Sequence, residues 1–387
     1  MSTQLPVKSA LDDIGTLYQE RAKRARELSK QGKGVVGYLC CFVPVEFLTA
    51  LDLVPYRIQG SVREPITMAD SYLETIMCPY VRSCFDLALK GDYEFLSGLV
   101  VPHSCDTIQR IYDIWRVYRE PKYHHFINVP HMMDPSSYEF FRKELELFGR
   151  SLEKFTGQKL TEQRLHHAIR LHNQNRALLR GLYELRKQDP PLVSGTEVTK
   201  MLIAGMGLPV EEFNDLITKV IREVKERRGG PTKKPARVLL FGSEVDDVAF
   251  VQLVEASGAN VVMDDLCTGS RSFWEDVDAT ADPWGALATR YLRGIHCPRT
   301  CVPQGKDRHD DLEARFGYLK PYIHDFNVNG VIIYIIRFCD TYELDAPDVR
   351  EYLQDQNIRS LYIEDDYSMT TIGQLRTRVQ AFLEMIA

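Results

Sequence analysis

Apolar runs rich in β-forming residues alternate with amphipathic stretches over the first part of the chain. Four such runs predict strands, at residues 35–39, 54–58, 99–102 and 126–129. The stretches between and after them, at 43–53, 70–90, 105–118 and 136–156, have helical periodicity. Strands that alternate with helices are typical of βαβ units in a parallel sheet.

The middle of the chain has an almost purely helical pattern, which covers residues 136–228. We interpret this region as a helical bridge between two domains. Residues 219–237 carry eight Lys or Arg and two Glu, and they include the Gly-Gly-Pro sequence at 229–231. Because Gly and Pro clusters mark loops, a solvated linker is favoured over a basic binding patch.

A second alternating unit fills the rest of the chain. It has strand-like runs in ARVLLFGS, NVVMDDL, GVIIYIIRF and RSLYIEDD, with helices near 245–257, 307–325, 345–356 and 371–386. We therefore predict an α/β fold with two Rossmann-like or flavodoxin-like domains, parallel sheets and a crevice between them. The predicted boundaries are 1–135 for the N-terminal helix and first α/β domain, 136–235 for the helical bridge and basic linker, and 236–387 for the second α/β domain.

Composition narrows the function classes. The chain has 387 residues and a net charge of −6, which gives no indication of nucleic-acid binding. Its N-terminus lacks the apolar segment of a secretory signal, so we expect a cytoplasmic protein. The longest unbroken apolar run covers only residues 331–336, which predicts no membrane association.

The nine cysteines are the main chemical feature. Cys41, Cys105 and Cys339 each end a strand-like run, and ligands of open α/β sheets bind at the carboxyl ends of strands. An odd number of cysteines in a reducing compartment leaves metal ligation, catalysis or simple burial. Spacing alone leaves an iron–sulfur site and structural cysteines equally open, and zinc is less favoured because the cysteines do not pair as CxxC. Cys297 and Cys301 form the nearest local pair.

The surroundings of the other cysteines differ. Pro79 favours the first position of a helix, which predicts that Cys78 is the N-cap and gains from the helix dipole. Cys84 lies about 240° further round that helix, at roughly 100° per residue, and is expected in the core. Cys40 should face away from Cys41 across the strand, and Cys267 stays ambiguous.

Other catalytic motifs are missing from the sequence, which has no P-loop, no G-x-G-x-x-G after a strand and no G-x-S-x-G elbow. His103 and His131 follow predicted strands and are candidate proton donors, with a loop position free of any catalytic role as the alternative. Glu46 begins a helix and is a further catalytic candidate, which can equally serve as a cap.

The chain resembles the family of 2-hydroxyacyl-CoA dehydratase and benzoyl-CoA reductase subunits. The resemblance rests on GYLCCFVPVEFLTALDLVPYRI, MCPYVRSCFDLALKGDYEFLSGLVVPHSCDTIQR, NGVIIYIIRFCDTYELDAPDVREYL and IRSLYIEDD, and it covers both α/β domains. It implies that Cys78, Cys105 and Cys339 hold a [4Fe-4S] cluster. Related double-cubane proteins use additional cysteines for a bridged [8Fe-9S] cluster, for which Cys41, Cys297 and Cys301 are the candidates here.

The chain looks most like the smaller non-ATPase subunit of ATP-dependent benzoyl-CoA reductase. That resemblance implies a heterotetramer with a paralogous iron–sulfur subunit and two ATPase subunits, which bind ATP and Mg²⁺. Reduced ferredoxin would supply the complex with electrons that convert benzoyl-CoA to a cyclic dienoyl-CoA. Within the family, a 2-hydroxyacyl-CoA dehydratase subunit and a double-cubane reductase are the alternatives. A metal-free two-domain solute-binding protein represents a different class.

Overall fold

Two four-stranded parallel sheets form the centre of the molecule, as the computed structural model of residues 9–302 and 305–387 shows. The strands are β1 (Val35–Tyr38), β2 (Val54–Arg57), β3 (Gly98–Pro102), β4 (His124–Ile127), β5 (Ala236–Gly242), β6 (Ala259–Asp265), β7 (Gly330–Ile336) and β8 (Arg359–Asp365). The strand orders are β2-β1-β3-β4 and β6-β5-β7-β8, so both sheets have the same flavodoxin-like order. The predicted α/β fold with two domains is confirmed.

Two helices of the first domain precede its first strand, and the other three follow strands as a βαβ pattern requires. They are α1 (Ala10–Gln19), α2 (Lys23–Lys30), α3 (Glu46–Ala50), α4 (Pro79–Leu89) and α5 (Asp106–Arg119). Helix α4 begins with Pro79, and Cys78 occupies its N-cap. This confirms the N-cap prediction, because proline restricts the preceding residue to a non-helical conformation.

Four long helices fill the middle of the chain and confirm its predicted helical character. They are α6 (Pro135–Thr156), α7 (Glu162–Glu184), α8 (Gly195–Gly205) and α9 (Val210–Glu226). Short polar side chains cap three of them, because Asp134, Thr161 and Ser194 each accept hydrogen bonds from backbone N–H groups of the first turn. Helix α7 contacts α3 of the first domain, and α8 contacts β6 of the second. The helices therefore connect the two sheets.

The second domain contains one helix that the sequence analysis did not predict. Its helices are α10 (Ala249–Ala256), α11 (Pro283–Arg293), α12 (Arg308–Phe316), α13 (Leu319–Asp325), α14 (Asp340–Asp355) and α15 (Ile372–Ile386). Helix α11 has a local start signal, since Pro283 is its first residue and the Asp282 carboxylate accepts from Gly285 N–H. The single helix expected near 307–325 is two helices, and the first of them is capped by Gly317.

Strands of the second sheet are buried throughout, except for the edge strand β8. Every residue of the central strands β5 and β7 is buried, whereas the edge strand β8 is partly exposed. Strands covered by helices on both faces need such continuous apolar runs. One hydrophobic core contains Val101 of the first domain and Leu240 of the second, so the domains share it. In the described part of the chain, none of the helices has the length and apolar character that a bilayer span requires.

The basic segment at 219–237 differs from a simple linker. Residues up to Glu226 belong to α9, and Arg237 lies buried in β5, where its guanidinium donates to the carbonyl oxygen of Phe326. Arg227 forms an ion pair with Glu197 at 2.6 Å. The residues between α9 and β5 form the connection without a helix or strand of their own.

Gly242 ends β5 and allows the chain to turn past β7. Its φ is +143°, and a Cβ there would lie 1.9 Å from the carbonyl oxygen of Tyr334. Gly258 also has a positive φ, at +115°, but a Cβ there would have no atom within 4 Å. Gly242→Ala should therefore destabilise the protein by roughly 1–3 kcal/mol more than Gly258→Ala, because only the former displaces a neighbouring strand. Urea unfolding of both variants measures the difference, and equal losses would contradict the argument.

Candidate functional site

A cavity of about 80 Å³ lies between the two domains, where the carboxyl ends of both sheets meet. Six of the nine cysteines line it, namely Cys40, Cys78, Cys105, Cys267, Cys297 and Cys339. The first three belong to the first domain and the others to the second half of the chain. The cavity therefore brings together thiols that are far apart in sequence.

Strand topology places most of these thiols. Cys40 and Cys105 follow β1 and β3, which are neighbours in the first sheet, and Cys339 follows the central strand β7 of the second. In a flavodoxin-like sheet the connections from these neighbouring strands run to opposite faces, and this switch point is where ligands bind. Cys105 and Cys339 are also the N-cap residues of α5 and α14.

Burial dominates the electrostatics of Cys78, Cys105 and Cys339, whereas the hydrogen bond with the Cys41 side chain lowers the pKa of Cys40 to about 5. Burial raises the pKa of Cys78 to about 11, although the N–H groups of Tyr80 and Val81 at the start of α4 act in the opposite direction. The expected benefit from the helix dipole is therefore real but smaller than the effect of burial. Burial also raises the pKa of Cys105 and of Cys339. These three thiols are neutral at pH 7 unless a cation is bound, since metal binding deprotonates a thiol ligand.

Four of the six cysteines predicted as ligands line this cavity, and two do not. Cys41 faces a second cavity, described below, and Cys301 is exposed in a short bridge to Met132. Cys40 and Cys267 line the cysteine cavity in their stead. Their inclusion was not predicted.

The backbone explains the position of Cys40, and side-chain contacts fix that of Cys267. Cys40 has a φ of +64°, which turns the chain at the end of β1, so that Cys40 lines the cysteine cavity and Cys41 lines the second. Their side chains are hydrogen-bonded to each other, so the prediction that Cys40 faces away from Cys41 is wrong. Cys267 follows β6, and the guanidinium Nη1 of Arg271 lies 3.2 Å from its sulfur. The position of Cys267 directly after a strand was the available sequence signal. Cys84 is fully buried in the core of the first domain, as its position on α4 indicated.

The two candidate histidines lie beside the cysteine cavity and outside its lining. The rings of His103 and His131 are in edge-to-face contact, with centroids 5.2 Å apart. His131 Nδ1 is 2.8 Å from the carbonyl oxygen of Arg299, and Arg299 does line the cavity. Burial lowers the pKa of His103. Their role as proton donors stays a prediction.

The polar groups around the cavity suit an anionic, sulfur-rich occupant. The hydroxyl of Tyr342 is buried and has no hydrogen-bond partner among the described residues, whereas that of Ser104 is hydrogen-bonded to the thiol of Cys40. Buried polar groups are normally hydrogen-bonded, so the Tyr342 hydroxyl calls for an acceptor inside the cavity. Arg299 donates to the carbonyl oxygens of Ser104, Val129 and Pro130, and no carboxylate pairs with it within residues 9–302 and 305–387.

The spacing of the side chains distinguishes a site for an iron–sulfur cluster from a site for a single metal ion. Among the described residues, no three His, Cys, Asp or Glu side chains converge closely enough to hold one metal ion. A mononuclear zinc site needs four such ligands around one atom. An iron–sulfur cluster distributes its thiolate ligands over several irons, so it accepts more widely spaced cysteines. The donor set therefore fits a cluster better than one ion.

An ion pair crosses the domain boundary at the cavity wall. Arg57 at the end of β2 donates to the carboxylate of Glu244, which follows β5, at 3.1 Å. Both side chains are buried and both line the cavity. Burial raises the pKa of Glu244 to about 7, against the opposing effect of Arg57.

Glu46, the third catalytic candidate, is fully buried outside the cysteine cavity. It forms an ion pair with Arg176 of α7 and accepts a hydrogen bond of 2.8 Å from the Tyr291 hydroxyl of α11. Burial alone would raise its pKa, but Arg176 and other groups lower the pKa of Glu46 to about 2. Glu46 thus joins the first domain to the helical bridge, and its catalytic role stays a prediction.

Glu46→Gln should destabilise the protein by about 3–5 kcal/mol near neutral pH, because it leaves Arg176 buried without its counter-charge. The pKa of Glu46 is depressed, so this stabilisation is present above about pH 4.5 and is lost as the pH falls towards 2. The difference in urea unfolding between wild type and variant should shrink over that window. As a control, Glu351→Gln at the exposed Arg308 pair should have little effect. If the difference in unfolding free energy did not change with pH, the ion pair between Glu46 and Arg176 would not be its source.

Comparisons with known proteins identify the family of the chain. The sequence profile of the family "2-hydroxyglutaryl-CoA dehydratase, D-component" matches residues 40–386. The chain is 28% identical to the putative dehydratase subunit YjiM of Escherichia coli, over 100% of both chains. It is 26% identical to one of the subunits of benzoyl-CoA reductase from Thauera aromatica, over 92% of this chain and 90% of that one. It is also 22% identical to the (R)-phenyllactyl-CoA dehydratase beta subunit of Clostridium sporogenes, over 93% of this chain and 94% of that one. The chain belongs to the 2-hydroxyglutaryl-CoA dehydratase D-component family.

Proposed function

We propose that this chain is an iron–sulfur redox subunit of an enzyme that acts on a CoA thioester. The single observation that carries the proposal is the cavity between the domains, which six cysteine thiols line together. Six thiols are twice the three that the family resemblance implies for one cubane, so they can form the two sets of three expected for a bridged double cubane. A [4Fe-4S] cluster on Cys78, Cys105 and Cys339 is the smaller version of the same proposal.

The six cysteines would form two sets of three ligands. Cys78, Cys105 and Cys339 would hold one cubane, and Cys40, Cys267 and Cys297 would hold the other. The second set replaces Cys41 and Cys301, which lie outside the cavity lining. A bound cluster of this type would supply single electrons at low potential, within a range that clusters span from about −700 to +450 mV.

Buried cations and hydroxyls of the chain would adjust the cluster. Arg57 and Arg299 line the cavity, and Arg271 contacts the sulfur of Cys267. Their positive charges would offset the negative charge of thiolates and sulfides, whose burial would otherwise be costly. The hydroxyls of Ser104, beside the Cys40 thiol, and of Tyr342, which has no partner in the described chain, would donate to sulfur atoms, and hydrogen bonds of this kind tune reduction potential. The enclosing domains would exclude water from a reactive intermediate.

The substrate we favour is benzoyl-CoA, reduced to a cyclic dienoyl-CoA. Support comes from the similarity to the benzoyl-CoA reductase chain of Thauera aromatica along nearly the whole sequence. The proposed assembly contains a paralogous iron–sulfur subunit and two ATPase subunits, with reduced ferredoxin as donor. The sequence itself has no P-loop, in agreement with ATP hydrolysis on partner subunits. Dehydration of a 2-hydroxyacyl-CoA is the second candidate, favoured by the description of the matching family.

Iron and acid-labile sulfide on anaerobically purified protein test the cluster. We expect about eight irons per chain for a double cubane and about four for a single cluster. Cys105→Ala and Cys267→Ala should each lower the iron content, because each removes a thiol from the cavity. Cys84→Ala, which removes a buried thiol outside the lining, should keep the full iron content. Full iron in both cavity variants, or no iron in the wild type, would reject the proposal.

Product analysis tests the reaction. The chain alone should hydrolyse no ATP, and the reconstituted complex should convert benzoyl-CoA in the presence of reduced ferredoxin and ATP. Mass spectrometry would detect the dienoyl-CoA product directly. Conversion of a 2-hydroxyacyl-CoA to the enoyl-CoA, with no reaction of benzoyl-CoA, would establish the dehydratase alternative and reject the reductase.

A further inference from the structure

A second cavity, of about 130 Å³, lies between the end of the first sheet and the helical bridge. Its wall is mainly apolar and includes Val45, which precedes α3, Leu179 of α7, Met206 after α8 and Phe213 of α9. An apolar cavity of about 150 Å³ made in another protein holds one benzene molecule. The second cavity is therefore of a size to hold a single ring or a short branched chain.

One polar group in this wall lacks a partner. Arg57 lines the second cavity as well as the cysteine cavity, and its side chain is only 3% exposed. Its Nη2 binds Glu244, but its Nε has no hydrogen-bond partner among the described residues. A buried donor without an acceptor is costly, so an acceptor supplied by a ligand would be stabilising.

Other polar groups of the wall already have protein partners. Arg176 is paired with Glu46, and the Tyr291 hydroxyl donates to the same carboxylate. His172 Nε2 lies 2.9 Å from the Thr49 hydroxyl. Arg57 Nε is therefore the group of these that is free to meet a ligand.

Charge balance selects a neutral ligand above pH 7. There the carboxyl of Glu244, whose pKa burial raises to about 7, is ionised and compensates the charge of Arg57, and Glu46 compensates that of Arg176. Burial lowers the pKa of His172 to about 4, so its ring is uncharged at pH 7. A carboxylate would therefore enter as an anion between two lining arginines that already have carboxylate partners, which is unfavourable in a buried site. A carbonyl oxygen accepts the same hydrogen bond without that cost.

The two cavities adjoin each other. Cys40 lines the cysteine cavity, and the next residue, Cys41, lines the second cavity. Arg57 forms part of both walls. A ligand in the second cavity would therefore be separated from the thiols by one guanidinium and one step of the main chain.

We propose that the second cavity binds a small, mainly apolar group that carries one neutral carbonyl, and that Arg57 Nε donates to the carbonyl oxygen. The proposal that a ligand binds here is argued from the cavity alone, whereas the interpretation of the cavity as the substrate position rests on the proposed function. The carbonyl can come from a free compound or from the acyl group of a thioester.

Ligand-observed NMR on the anaerobically purified full chain tests the specificity. Three probes of similar size differ in one property each: acetophenone has a neutral carbonyl, ethylbenzene has no acceptor, and benzoate is an anion. Acetophenone should bind at least about tenfold more tightly than the other two, because it alone satisfies Arg57 Nε without adding charge. Equal or tighter binding of benzoate, or no saturable binding of acetophenone, would overturn the proposal.

Variants localise the binding. Arg57→Lys keeps the positive charge near Glu244 and removes Nε. It should therefore lower the affinity for acetophenone about tenfold and leave the affinity for ethylbenzene unchanged. Val45→Phe should block all three probes by filling the cavity, and Val45→Ala should not. Val45 is half-buried and directly precedes α3, so both Val45 variants are expected to fold. They locate the probe even if Arg57→Lys does not fold. Unchanged acetophenone binding in Val45→Phe would place the probe elsewhere and refute the site.

Iron content separates this proposal from the proposed function. Iron without acetophenone binding would reject the ligand site alone, and acetophenone binding without iron would reject the redox function alone. In iron-loaded, reduced protein, paramagnetic broadening of the acetophenone signals should be strong, and its absence would contradict the adjacent position. Displacement of acetophenone by benzoyl-CoA would identify the acyl group of a thioester as the ligand. Binding of acetophenone without displacement by benzoyl-CoA would identify a free carbonyl compound as the ligand.

Discussion

Parallel strands end at one edge of a sheet, and this constraint determines where the chemistry of the molecule lies. Both sheets have the same strand order, and the loops that follow β1, β3, β5, β6 and β7 meet at one cavity. Each loop contributes a short polar or thiol side chain. The site needs both domains, because either sheet alone delivers only part of the lining. Any change that moves one sheet relative to the other would separate the cysteines.

The cavity concentrates groups that are costly to bury separately. The neutral thiols of Cys105 and Cys339 tolerate the low dielectric well, since burial raises their pKa values. The guanidinium of Arg299 has no carboxylate partner in the described chain and binds carbonyl oxygens instead. Under the proposed function, the cluster would supply the missing negative charge and the missing acceptors together. The bound cluster would then explain why the lining of the cavity is polar.

The helical bridge connects the domains and also forms a wall of the second cavity. Glu46 of the first domain is held by Arg176 of α7 and Tyr291 of α11, which lie far away in sequence. Arg57 and Glu244 make a second charged link, directly between the sheets. Two buried ion pairs therefore fix the relative position of the domains, and each borders a cavity. Under the two proposals, the same side chains would serve stability and ligand binding.

Local sequence determined the elements, and long-range contacts determined the site. The apolar runs predicted the strands and the α/β class, since burial on both faces demands continuous apolar residues. Proline chemistry placed Cys78 at a helix N-cap, and strand ends indicated Cys105 and Cys339. The choice of Cys40 over Cys41 depended on a left-handed residue at the end of β1, which strand periodicity does not encode. The pairing of Glu46 with Arg176, and the approach of Cys267 to the thiols of the first domain, depend on contacts between segments separated by more than a hundred residues. Such contacts arise only when both sheets and the bridge have packed, because no local pattern specifies which distant side chains will meet.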